Sequence, residues 1–114
     1  LMYTGVAEGH ISLTKWVDIV STGPARMFGM FPRKGTIAPG SDADIVIFDP
    51  SRSHVISVEN QAMNVDYSVY EGRELPGTVD TVLLRGNVVV RDHRFVGRVG
   101  MGEFVPRGLC QYLW

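Results

Sequence analysis

The sequence predicts a mixed α and β chain, with short helices first, short strands after them, and an irregular tail. Two observations carry this. Apolar residues recur at helical spacing only before Met30, and short β-branched runs set off by Gly, Pro, Asn and Asp appear only after it. The helices and the strands are therefore expected to belong to different structural units.

Residues 1–10 are Gly-rich and read as irregular. A helix is predicted to begin after Ser12, whose hydroxyl can accept an early backbone N–H. Ile11 and Trp16 stand at the two positions of a hydrophobic staple. Leu13, Trp16, Val17 and Val20 follow the i, i+3, i+4, i+7 pattern of one apolar face. Gly23-Pro24 is expected to interrupt this helix and start a second, over about Pro24–Phe28, that stops at Gly29 in the left-handed conformation.

After Met30, Pro32, Gly35, Pro39 and Gly40 punctuate a loop. Ala43–Phe48 lacks clean alternation and reads as a strand buried on both faces, ended by Asp49-Pro50. Ser53–Val58 is expected to be a strand with His54 facing solvent opposite a buried Val55. Gln61–Pro76 reads as loop. Thr78–Leu84 and Val88–Arg91 flank Gly86-Asn87, which predicts a tight hairpin because both residues tolerate positive φ. From Asp92 the chain turns polar and Gly-rich. The strands are expected to leave open edges.

Composition narrows the functional classes. The chain has 114 residues, 45% hydrophobic and 20% charged, with a formal net charge of −1. This is an ordinary globular composition for about one domain. No basic stripe suited to nucleic acid is present, and nothing approaches the roughly 18 apolar residues of a membrane span. The lone Cys110 cannot form an internal disulfide, so a reducing, cytoplasmic compartment is expected. The start LMYTGVAEGH has no signal-peptide pattern, and opening on Leu1 rather than a methionine is expected to reflect a cut, a tag scar or further residues upstream.

Candidate chemical residues are few. His10, His54 and His93 occur in no zinc-ligand spacing. Asp42 and Asp44 form a DxD, which could hold a divalent cation but reads better as a turn-forming Asp and one that bonds nearby backbone N–H groups. Asp18, Ser21 and His10 lack any nucleophile-elbow context. Cys110 has no charged helix end to activate it. Arg33-Lys34 reads as a solvated pair, and Trp16, Met27, Phe28, Met30 and Phe31 as one apolar cluster. No residue is assigned a catalytic, cofactor-binding or metal-binding role.

Longer stretches carry a resemblance. Ser12–Gly29, SLTKWVDIVSTGPARMFG, and Arg33–Pro50, RKGTIAPGSDADIVIFDP, resemble the C-terminal region of the cyclic amidohydrolases. Asn64–Gly77, NVDYSVYEGRELPG, and Gly102–Arg107, GEFVPR, are similar to the dihydropyrimidinase and hydantoinase branch. The resemblance implies that this is a fragment of a larger fold. Residues 1–34 would be the last helices of a (β/α)₈ barrel, 35–91 the C-terminal strands of a small composite β-sandwich, and 92–114 a tail able to touch a neighbouring subunit. It implies a zinc hydrolase that opens the cyclic amide of dihydropyrimidines or hydantoins to N-carbamoyl amino acids, and is typically a homotetramer. Two zinc ions on a carboxylated lysine, histidines and an aspartate would all lie upstream, so none is carried over to this chain. The alternatives are the tail of a non-catalytic scaffold of the same fold, or of an allantoinase or dihydroorotase.

Overall fold

A computed structural model describes residues 1–112. Leu113 and Trp114, the end of the expected tail, lie outside the described residues. The fold is mixed α and β, with helical turns first and strands after.

The N-terminal residues are not irregular throughout: Thr4–Ala7 forms a short helix, α1. Helix α2, Leu13–Val17, starts as expected, with Ser12 Oγ accepting the Lys15 N–H at 3.1 Å. Gly23-Pro24 does not interrupt the helical path. A π-helical turn, Asp18–Thr22, joins α2 to α3, Gly23–Met27, and the backbone stays right-handed helical across the junction. In an α-helix the Pro24 ring would press on a preceding carbonyl. The wider π turn accommodates it, with the Gly23 N–H bonding back to the Asp18 carbonyl. A Cβ at residue 23 would stand 2.8 Å from that oxygen, so glycine is needed here. Helix α3 ends as predicted. Gly29 has φ +64, its N–H reaches the Arg26 carbonyl, and the Met30 N–H reaches that of Ala25, which is a Schellman cap.

Among the described residues six strands come next: β1 (Ile45–Asp49), β2 (His54–Val55), β3 (Glu74–Leu75), β4 (Thr78–Leu84), β5 (Asn87–Arg91) and β6 (Arg94–Phe95). They form an antiparallel four-stranded sheet in the order β1-β4-β5-β6 and a separate β2-β3 pair. A 3₁₀ turn, Val58–Asn60, lies inside the span expected to be strand and loop. The hairpin turn is Arg85-Gly86, both at positive φ, one residue earlier than predicted. Asn87 is drawn into β5 opposite Leu84. The cause is external to the hairpin: the Arg85 N–H is held by Asp44 Oδ1 at 2.8 Å and the Gly86 N–H by the Ala43 carbonyl at 2.9 Å. A second two-residue turn, Asp92-His93, also at positive φ, leads into β6, which the polar composition did not predict.

Strand β1 is not buried on both faces. It is an edge strand, and Val46 and Ile47 are at least half exposed. The central strand β4 carries the buried threonines, Thr78 and Thr81. Nor is there one apolar cluster around Trp16. Its ring packs against Tyr3 and Phe48, with centroids 5.1 and 5.2 Å away, while Met27 and Phe28 lie exposed and Phe31 sits under Arg26. Among the described residues only Ala25 and Ile56 are buried apolar side chains. The chain exposes 8342 Å², against about 6,200 Å² expected of a folded monomer of its mass.

Candidate functional site

The loop 31–42 closes on itself. The Asp42 N–H bonds the Arg33 carbonyl at 2.9 Å and Ser41 Oγ the Pro32 carbonyl at 2.8 Å. This brings Arg33 and Lys34 onto the DxD. Arg33 Nε lies 2.9 Å and Lys34 Nζ 2.8 Å from Asp42 Oδ2, and Lys34 also pairs with Asp44. The two basic residues are therefore not free solvated charges. Asp44 differs from its expected role too: the backbone N–H it accepts belongs to Arg85, on the distant hairpin, rather than to a neighbour. Loop, β1 and the β4–β5 turn meet at this one group of four charges.

Lys34 and Arg33 hold Asp42 below the ordinary carboxylate range through hydrogen bonds and charge. Partial burial pushes Asp44 up, but Lys34 and the Arg85 N–H outweigh it and leave it lowered. Burial pulls Lys34 down, but the two carboxylates outweigh it and leave it raised. Asp49, bonded by the Ser51 hydroxyl and N–H, is also lowered. Near pH 4 the unfolded chain thus binds more protons than the folded one, so stability rises with pH there. It should be fully present above about pH 4, the unfolded carboxylate range, and fall as acid passes through the lowered folded values. Asp44→Ala should cost about 1–2 kcal/mol at neutral pH, by leaving the Arg85 N–H and Lys34 without their acceptor. It should also flatten the acid limb, and Asp44→Asn should retain part of the backbone bond. Urea midpoints from about pH 3 to pH 7 check this, the range that spans the carboxylate titrations.

The histidines are placed differently from one another. His10 is exposed beside Glu8, at 3.3 Å. His54 does not face solvent: it is half-buried while Val55 is exposed and Ile56 buried, so the alternation runs one residue out of the expected frame. With only two residues paired in β2, Leu75 stands opposite His54, and His54 turns into a groove of about 480 Å³ with Tyr3, Trp16, Phe48 and Leu75. There it stacks on His93, ring centroids 4.6 Å apart and planes 12° off parallel. His93 Nε2 lies 2.9 Å from Thr78 Oγ1. Desolvation and then the charge of His93 lower the His54 pKa. Neither the stack nor the Arg-Lys-Asp-Asp group was anticipated. The latter had a sequence signal, opposite charge pairs on either side of a Gly/Pro loop; the former had none, since its members lie 39 positions apart.

The remaining candidates stay apart. Asp18 is paired with Lys15 at 3.2 Å, so Asp18, Ser21 and His10 form no triad. Cys110 is a half-buried free thiol in a shallow depression beside Met27 and Leu109. Among the described residues no group of three His, Cys, Asp or Glu side chains could hold a metal ion, and no helix is long and apolar enough to cross a membrane. The residues of this chain do not fit a two-zinc centre. Two imidazoles stacked face to face aim their nitrogens along parallel planes rather than at one point, and both DxD carboxylates are engaged by cations.

The fold and these sites can be set beside known proteins. The Amidohydrolase family profile matches residues 1–89, and the chain belongs to that family. Within it, the chain is 55% identical to a D-hydantoinase of Streptomyces coelicolor over 113 residues, which is 99% of this chain and 24% of the relative. A solved D-hydantoinase structure superposes with a TM-score of 0.91 at 50% identity, covering 96% of this chain and 24% of that one. The dihydropyrimidinase of Brevibacillus agri superposes with a TM-score of 0.87 at 57% identity, covering 91% and 23%. The chain spans about a quarter of the length of the relatives it matches.

Proposed function

We propose that this chain is the C-terminal portion of a cyclic-amide hydrolase of the hydantoinase and dihydropyrimidinase type. The parent reaction opens the ring of a hydantoin or 5,6-dihydropyrimidine with water, giving an N-carbamoyl amino acid. The observation that carries this is the 55% identity to a D-hydantoinase across 99% of the chain, together with the 24% of that relative it spans. The metal centre expected for such a hydrolase is assigned to the rest of the protein, and no step is routed through the residues of this chain.

On this reading residues 1–34 close the catalytic barrel, 35–91 contribute strands to a composite sandwich, and 92–114 reach a neighbouring subunit of a cytoplasmic homotetramer. Two features support a scaffolding role. The apolar positions Leu13, Val17 and Val20 are exposed along the helices, and β1 offers an unpaired edge. Surface of both kinds is stabilised by further protein.

The test is hydrolysis of hydantoin and 5,6-dihydrouracil, monitored by loss of ring absorbance and appearance of the carbamoyl product. The full reading frame is expected to turn over at least one of the two, and residues 1–114 alone neither. Turnover by residues 1–114 would overturn the scaffolding assignment. A full-length protein that keeps its metal-ligand motifs yet hydrolyses neither ring would overturn the substrate class.

A further inference from the structure

The β5–β6 turn is weak on its own terms. It places two non-glycine residues, Asp92 (φ +47) and His93 (φ +61), in left-handed conformations, where glycine or asparagine is favoured. It leads into a strand of two residues, and the cross-strand pair that closes it is Arg91 with Arg94, like charges directly opposite. What holds His93 lies outside the hairpin: Thr78 of β4, 2.9 Å from its Nε2, and the His54 ring of β2, stacked at 4.6 Å.

We propose that the His54–His93 stack is a pH-sensitive tie between the β2-β3 pair and the β5–β6 turn, closed when the rings are neutral and opened when both are protonated. Two imidazolium rings at this separation repel, and a protonated His93 can meet Thr78 Oγ1 only as the donor, through its Nε2–H, so the hydroxyl contact does not offset that repulsion. The charged surroundings do not relieve the second proton. From β4 comes Asp80 and from the turn Asp92, but both carboxylates face Arg52, at 3.3 and 3.4 Å. Arg91 and Arg94 on β5 and β6 add positive charge, and β3 brings Glu74 opposite Val55 rather than opposite His54. The N-terminal segment contributes Tyr3 and the Leu1 end of the groove. Among the described residues neither ring forms an ion pair with a carboxylate; the His10–Glu8 contact belongs to a different histidine. The lowered His54 pKa agrees with this setting.

The experiment is hydrogen–deuterium exchange by mass spectrometry on the full-length protein, at about pH 7.5 and pH 5.5, which bracket histidine titration, corrected for the intrinsic pH dependence of exchange. Peptides covering residues 88–97 are compared with a peptide covering β1. In the wild type, protection of 88–97 is expected to fall roughly fivefold more than that of β1, the factor for two unit charges one ring stack apart in a largely aqueous setting. His93→Phe keeps an aromatic face without a titrating ring, and the extra loss should vanish. His54→Phe should do the same from the other side, and carries the test alone if His93→Phe does not fold. An equal fall in 88–97 and β1 in the wild type, or an extra fall that persists in the foldable variants, overturns the tie. Neither result depends on hydrolase activity.

Discussion

Gly77→Ala is expected to destabilise the protein by about 3 kcal/mol. Two costs combine. Gly77 is buried at φ +79, and an L-residue in the left-handed region costs roughly 1–2 kcal/mol. Its new Cβ would also stand 2.6 Å from Phe48 Cε1 and 3.2 Å from the Asp49 carbonyl, and overpacking of this kind costs about 1–3 kcal/mol. The position matters because Pro76-Gly77 passes the chain from the β2-β3 pair to the central strand β4, directly across from β1. A double-mutant cycle separates the terms. In a Phe48→Leu background the ring is gone, so adding Gly77→Ala should cost mainly the backbone share, roughly 1–2 kcal/mol. Urea midpoints of the four proteins measure it. An equal cost in both backgrounds would show that Phe48 is not the obstacle.

Local chemistry was legible where the deciding partner lay within a few residues. Ser12 capped its helix and Gly29 ended the next because each acts on backbone groups three to five positions away. The hairpin between β4 and β5 was also legible, but its register was not. Asp44 reaches across 41 positions to hold the Arg85 N–H, and that bond selects Arg85-Gly86 over Gly86-Asn87. The same limit governs the histidines. Alternation placed His54 outward, but with only two residues of β2 paired, the groove behind it and the His93 ring set its orientation. The run Ala43–Phe48 lacks clean alternation, which predicts burial on both faces. Among the described residues β1 remains an edge, with Val46 and Ile47 at least half exposed. The functional reading came from long motif stretches rather than from a constellation of reactive side chains. The chain spans about a quarter of the length of those relatives.

Trp16→Ala and Val17→Ser should part company in a way that tests the scaffolding assignment. Trp16 packs edge-on against Tyr3 at 5.1 Å and Phe48 at 5.2 Å, tying the residue that precedes α1 to α2 and β1. Truncating a fully buried Trp costs about 3–5 kcal/mol; for this half-buried ring, which loses two aromatic contacts, about 3 kcal/mol is expected. That cost should appear both in residues 1–114 and in the full-length protein, because the partners lie within the chain. Val17 is one residue along the same helix and 46% exposed. In residues 1–114, Val17→Ser should move stability by no more than about 0.5 kcal/mol, as at any open surface position. If the helix face is covered by the rest of a barrel, the same change in the full-length protein should cost about 1.5–3 kcal/mol, the worth of a buried valine. Paired denaturation curves of the two substitutions in both lengths of chain give the comparison. A Val17→Ser effect that stays near zero in the full-length protein would mean that this face is not covered there, and the assignment of residues 1–34 to the closing helices of a barrel would fail.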